Sequence, residues 1–134
     1  CVRDPSLVPN PFLEGLRYRM PTQFLCRVVA RDVVVQGQSL RPGQPVLFLY
    51  PSANRDEREF ANPDVFDIHR SIPRLLSFGH GTHACIGIHV AKMEGKVMLE
   101  ELLRVAPEYE VQLDRAERLV TDFVQGFARL PVRF

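Results

Sequence analysis

Cysteine is scarce in this chain and is not laid out as a framework. Three of the 134 residues, Cys1, Cys26 and Cys85, form an odd set without regular spacing, which argues against a disulfide-stapled secreted scaffold and for a reducing cytoplasm. An excess of one charge is also lacking. Seventeen Lys and Arg stand against 16 Asp and Glu, a net charge of +1, so nothing global calls for nucleic acid as a partner. Apolar runs such as residues 46–50 are far too short to span a bilayer, and no secretory signal opens the chain. There is no internal repeat and no low-complexity tract. A composition of 46% hydrophobic and 25% charged residues is that of a folded domain rather than a disordered chain. The first residue is Cys rather than Met, and with the principal motif well past the middle this leads to the expectation of the C-terminal portion of a longer protein.

The patterning predicts an α+β fold with two principal helices, small β-sheets and a long irregular segment. The first helix is expected over residues 10–19, with Asn10 as cap, Pro11 in the first turn and Pro21 beyond its end. A strand region follows at 23–49, with runs at 24–29, 31–35, 38–40 and 44–49 separated by Gly37 and by the turn signal Arg41-Pro42-Gly43-Gln44. Two of these runs are expected to form a hairpin. Periodicity vanishes over 51–77 apart from one possible helical turn near 52–54, and so long an irregular stretch in a small domain normally serves a function. From 88 to 105, His89, Lys92, Lys96, Glu100 and Arg104 recur on one face while Ile88, Ala91, Met98, Leu99 and Leu102 fall on another, predicting an amphipathic helix closed by Pro107. Strands are expected within 109–134, at 109–113, 119–121 and 130–133, around a bend at Gly126.

Chemistry concentrates in residues 78–87, F-G-H-G-T-H-A-C-I-G. Cys85 lies on a glycine-bent loop at the mouth of the second helix, where a thiolate is favoured and backbone N–H groups can turn toward sulfur. Three readings stand side by side. His80, His83 and His89 surround the cysteine in sequence, so a zinc site is one, although its four donors would crowd a single turn and one helical step. A buried structural cysteine is the bland one. A thiolate bound to the iron of a flat porphyrin is the third, and it gives Gly79, Gly81 and Phe78 a purpose: the glycines let the backbone approach the ring, and Phe78 screens the sulfur from water. Elsewhere, Glu14 and Arg17 have the E-x-x-R spacing that puts acid and base on one helix face.

Phe78, Gly81, Cys85 and Gly87 fill every position of the pattern F-x-x-G-x-x-x-C-x-G, and on this loop the chain resembles the cytochrome P-450 family. The resemblance implies the C-terminal third of that mainly helical fold, haem b (iron protoporphyrin IX) as cofactor, and Cys85 as axial iron ligand and catalytic residue. Gly79 joins the loop residues that bind the cofactor, and His83 and Arg27 correspond to partners of the haem propionates. Glu14, Arg17 and Arg70 correspond to a buried Glu-Arg-Arg network of architectural role. Residues 20–25 and 124–127, with Thr22, Phe24, Leu25, Val124 and Phe127, correspond to pocket-lining segments for a small apolar substrate. The implied activity is monooxygenation with electrons from a ferredoxin and an NAD(P)H-dependent ferredoxin reductase, docking near Arg74, His80, Lys92 and Lys96, without membrane or nucleic acid. Residues for oxygen activation and proton delivery would lie outside these 134. A truncated haem-binding or structural fragment without turnover is the alternative reading, and a small zinc module the other.

Overall fold

The structure is a computed structural model describing residues 1–2 and 4–134. A 3₁₀ turn at Pro5–Leu7 leads into helix α1, Pro9–Tyr18. Proline occupies its first turn, as expected, but Asn10 is not the cap: the helix begins one residue earlier, at Pro9, behind Val8, which lends no side-chain hydrogen bond. At the other end the N–H of Arg19 bonds Gly15 O at 2.8 Å. Two of the carbonyls that a helix end leaves without intrahelical partners are met from far along the chain. Leu16 O accepts from Ser77 Oγ and Tyr18 O from the Arg55 guanidinium, each at 2.8 Å.

Four strands follow. β1 (Leu25–Val28) pairs antiparallel with β4 (Pro45–Phe48), and between them β2 (Val33–Val35) and β3 (Gln38–Leu40) form a hairpin through Gln36 and Gly37, both at positive φ. The Arg41–Gly43 bend returns the chain so that Gly43 N–H meets Val29 O at 2.9 Å and Val29 N–H meets Gln44 O at 3.0 Å. The expected strand at 31–35 shortens to three residues.

After one helical turn, α2 (Tyr50–Ala53), the chain runs without regular structure to a 3₁₀ turn at Leu76–Phe78. It then enters α3, Ile88–Val105, the residues the amphipathic pattern marks out. The C-terminal strands are shorter than expected: β5 (Glu110–Val111) pairs with β8 (Val132–Arg133), and β6 (Glu117–Arg118) pairs with β7 (Phe127–Arg129). No strand forms at 119–121. There Leu119 N–H closes onto Gly126 O at 3.0 Å, Val120 projects fully into solvent, and the loop beyond turns away to form a bridge between Thr22 and Val124. Among the described residues no helix is long and apolar enough to cross a membrane.

α1 and α3 cross where Gly95, the one buried residue of α3, faces the ring of Phe12. A β-carbon at Gly95 would stand 2.4 Å from Cδ2 and Cε2 of that ring, inside any tolerable contact. Gly95→Ala is therefore expected to destabilise the protein by about 1–3 kcal/mol through overpacking, although Ala is intrinsically the better helix former by about 1 kcal/mol. Chemical denaturation measures it, and combining the change with Phe12→Leu should recover part of the loss. Few apolar side chains are fully buried, Val8, Met20, Phe60 and Ala106 among them, while Ile86, Val90, Met93, Val97 and Met98 stand exposed from the cysteine loop along α3.

Candidate functional site

The loop that carries Cys85 is shaped by three backbone hydrogen bonds. Gly79 N–H reaches Leu76 O at 2.8 Å, Ala84 N–H reaches Gly81 O at 3.0 Å, and Cys85 N–H closes the loop on Phe78 O at 2.7 Å. Gly79 and Gly81 sit at φ 70° and 69°, the left-handed region that a side chain opposes. At Gly79 space forbids one as well, since a β-carbon would lie 3.2 Å from His83 O. Gly87 has ordinary φ and flanks the sulfur: a β-carbon there would be 3.9 Å from Cys85 Sγ. The thiol of Cys85 is exposed.

Ile88 N–H turns back to Cys85 O at 3.2 Å to open α3, and no hydrogen bond among the described residues ends on Sγ. Phe78 is half-buried, with the Lys92 ammonium 6.0 Å from its ring centroid. His83 ends the 3₁₀ turn Gly81–His83 and is exposed. Arg27 is half-buried on β1 and donates to the carbonyl of Cys26 at 2.8 Å.

The histidines do not converge. His80 lines a cavity of about 680 Å³ with Asp56, Glu59 and Arg74, and His89 is exposed on α3. Among the described residues no three His, Cys, Asp or Glu side chains are placed to hold one ion, so the four-donor zinc arrangement is not assembled. A single exposed thiol on a glycine-bent loop suits instead a metal that brings its other donors with it, as porphyrin iron does. Haem fits these residues on the chemistry of the donor set.

The Glu14, Arg17 and Arg70 side chains meet. Glu14 and Arg17 are fully buried. Arg17 uses all five N–H donors: Nε and Nη2 grip Glu14 at 2.7 and 2.8 Å, Nη1 reaches the carbonyls of Asn54 at 3.0 Å and Pro63 at 2.8 Å, and Nη2 also reaches Val65 O at 3.2 Å. Glu14 Oε1 further accepts from Asp67 N–H at 2.9 Å and Arg70 Nε at 3.2 Å. Arg70 in turn holds Ala61 O at 2.6 Å, Asn62 O at 3.0 Å and Val65 O at 3.1 Å. The irregular segment is thus ordered by guanidinium groups that collect its carbonyls, in place of a helix or sheet ladder. Burial pushes the Glu14 carboxyl up, but the Arg17, Asp67 and Arg70 hydrogen bonds together outweigh it and hold the group below its ordinary range.

Thr22 and Val124, from the two segments expected to line a pocket, form a β-bridge, and Gln125 N–H bonds Pro21 O at 2.7 Å. Phe24 meets Phe123 edge to face at 5.7 Å between ring centroids. Leu25 opens β1 opposite Phe48. Phe127 opens β7 in the β6–β7 ladder, with the Arg118 guanidinium 5.2 Å from its ring centroid. Phe123 and Ser77 are partners that the sequence reading does not single out. Asn54 is 1% exposed, and no periodicity in an irregular segment announces a buried amide.

The family model for cytochrome P450 matches residues 7–134. The chain is 44% identical over 133 residues to cytochrome P450-terp of a Pseudomonas species, covering 98% of this chain and 30% of that protein. It is 37% identical to a steroid C26-monooxygenase of Mycobacterium tuberculosis, over 98% of this chain and 36% of the relative. Among solved structures, P450BioI in complex with hexadec-9Z-enoic acid ligated acyl carrier protein superposes with a TM-score of 0.93 at 38% identity, over 99% of this chain and 35% of that one. The chain therefore spans about a third of the length of the relatives it matches.

Proposed function

Since the chain belongs to the cytochrome P450 family, we propose that it is the haem-binding C-terminal part of a monooxygenase, with Cys85 as the thiolate ligand of haem b. The single observation that carries this reading is the loop itself: one exposed thiol, on a backbone bent by two left-handed glycines and closed by the Cys85 amide on Phe78 O. When bound, haem supplies the oxidative chemistry: one atom of dioxygen enters the substrate and the other leaves as water, with two electrons and two protons consumed. Cys85 would hold the haem iron through its sulfur, and a thiolate ligand would supply the electron density that oxidative chemistry of this kind requires. Arg27 and His83 would orient the cofactor through its propionates, where a charge-assisted pair is strong and directional. Gly79, Gly81 and Gly87 would let the backbone approach the cofactor closely, and Phe78 would help to cover the sulfur once the cofactor is in place.

The substrate is a small apolar molecule met by Thr22, Phe24, Leu25, Val124 and Phe127. A steroid C26-monooxygenase among the relatives and the hexadec-9Z-enoic acid carried by the acyl carrier protein in a structural neighbour agree with that class. Electrons come from a ferredoxin and its NAD(P)H-dependent reductase in the cytoplasm. Of the basic groups near the loop, Arg74 pairs with Glu59 at 3.5 Å and Lys96 with Glu100 at 3.7 Å, so Lys92 and His80 are the residues left to attract an acidic partner. The apolar side chains exposed along α3 are the surface that the rest of a longer protein would cover.

The test is turnover by the longer protein that includes these residues, reconstituted with haem and a ferredoxin system under isotopically labelled dioxygen. One labelled atom in an oxidised apolar product is expected. Residues 1–134 alone should hold haem weakly and give no product, because one wall of a cofactor pocket buries too little of so large a ring. Turnover by these residues alone would overturn the division of labour proposed.

A further inference from the structure

Resting on the haem-thiolate reading, we infer that Asn54 is a positioning residue for the cysteine loop. Its carboxamide grips the Leu76–Phe78 turn while its backbone carbonyl is held by Arg17 of α1, and so it helps to fix the Phe78 carbonyl on which the Cys85 amide closes. Neither Glu14 nor Arg17 makes a hydrogen bond to residues 76–87; the connection from the buried ion pair to the loop runs through Asn54. Its backbone carbonyl accepts from Arg17 Nη1 at 3.0 Å. On its side chain, Oδ1 accepts from Leu76 N–H at 3.0 Å and Nδ2 donates to Ser77 Oγ at 2.8 Å, with Met20 Sδ 3.8 Å away. Ser77 Oγ then spends its one proton on Leu16 O at 2.8 Å. At the next residue, Phe78 O receives Cys85 N–H at 2.7 Å, and Gly79 N–H ties back to Leu76 O.

The polarity of this chain of bonds selects asparagine. The site needs one acceptor, for Leu76 N–H, and one donor, for a serine hydroxyl whose own proton is committed to α1. Asn54→Asp keeps the acceptor and loses the donor. Ser77 would then have two acceptors for a single proton, and one buried oxygen would go unpaired. Asn54→Ala loses both contacts, and Ser77→Ala removes the link to α1 while leaving the bond to Leu76.

The experiment uses the longer haem protein and follows two readouts. Amide hydrogen exchange at Leu76 and Cys85 should quicken about five- to tenfold in Asn54→Ala, the loss expected from one net hydrogen bond, while amides of α3 such as Ala91 keep their wild-type protection. Ser77→Ala should quicken Leu76 by less. In the reduced, carbon monoxide-bound protein, both variants should lose part of the thiolate-type Soret band, and the double variant should lose less than the sum of the two single losses, because both single changes delete the same bond from Asn54 Nδ2 to Ser77 Oγ. Unchanged exchange at Leu76 and Cys85, or loss of protection spread equally over α3, overturns the inference. So does full additivity in the double variant. Should Asn54→Ala fail to fold, Ser77→Ala, which deletes a single hydroxyl, decides on both readouts. A wild-type protein without the thiolate-type band would instead sink the haem-thiolate reading, and the exchange result would still judge whether Asn54 positions the loop.

Discussion

Cys85→Ser is expected to abolish the thiolate-type Soret band of the reduced, carbon monoxide-bound protein and to reduce monooxygenase turnover to background. The fold should survive. Cys85 is exposed and its Sγ takes part in no hydrogen bond among the described residues, so exchanging sulfur for oxygen leaves the closing bond from its amide to Phe78 O intact. What changes is the donor: a hard hydroxyl oxygen replaces the soft sulfur. Cys1 and Cys26 provide the control. Cys26 lies on β1, with its thiol 3.6 Å from Arg27 O, and Cys26→Ser should leave the spectrum as it is. Persistence of the thiolate-type band in Cys85→Ser would assign the ligand elsewhere.

The parts of this chain that could be read from sequence were those with local causes. Helix α3 is legible because polar and apolar residues alternate at the helical period, and its bounds follow from Gly87 before it and Pro107 after it. The hairpin of β2 and β3 is legible for the same kind of reason, a tight turn between β-branched runs. Asn10 misleads because Pro9 already satisfies the first turn, so the helix starts without a side-chain cap. The strand expected at 119–121 fails because its apolar residues are claimed by no partner ladder; a β-bridge to Thr22 several residues on decides the path of that loop. For the site, Cys85 and the glycines are legible as a motif, and Glu14 and Arg17 as a spacing. What no local signal carries is the set of carbonyls from residues 54–65 that Arg17 collects, nor the bonds of the buried Asn54 and the half-buried Ser77, because those bonds span 22 to 61 positions of sequence. Convergence at such range is a property of the folded chain.

Arg17→Ala is expected to leave no folded, haem-loaded protein, a larger effect than that of any other single change outside the iron ligand. The substitution strips a buried carboxylate of its two closest partners, and removal of one member of a buried pair costs about 3–5 kcal/mol, against a total stability of about 5–15 kcal/mol for an ordinary domain. It also frees the carbonyls of Asn54, Pro63 and Val65 at once. Glu14→Ala should be nearly as severe, since it leaves the Arg17 charge buried and also releases Asp67 and Arg70. Arg70→Ala should be milder because Arg70 sits at the margin of the site, its side chain 10% exposed. The same network sets the response to acid. The Glu14 carboxyl is held below its ordinary value in the folded protein, so its contribution is complete above the unfolded pKa near 4.5 and is lost as pH falls through the lower folded value. Asp56, lowered to about 2 by Arg58, acts in the same direction, but it belongs to an exposed ion pair. At about 1 M salt the Debye length shrinks to about 3 Å, which removes most of the exposed pair's share and little of the buried one's. Acid unfolding should therefore persist at high salt in the wild-type protein and flatten in Glu14→Gln, followed by melting temperature against pH. A soluble Arg17→Ala protein with near-normal melting and full haem content would show that the ion pair does not hold the irregular segment in place.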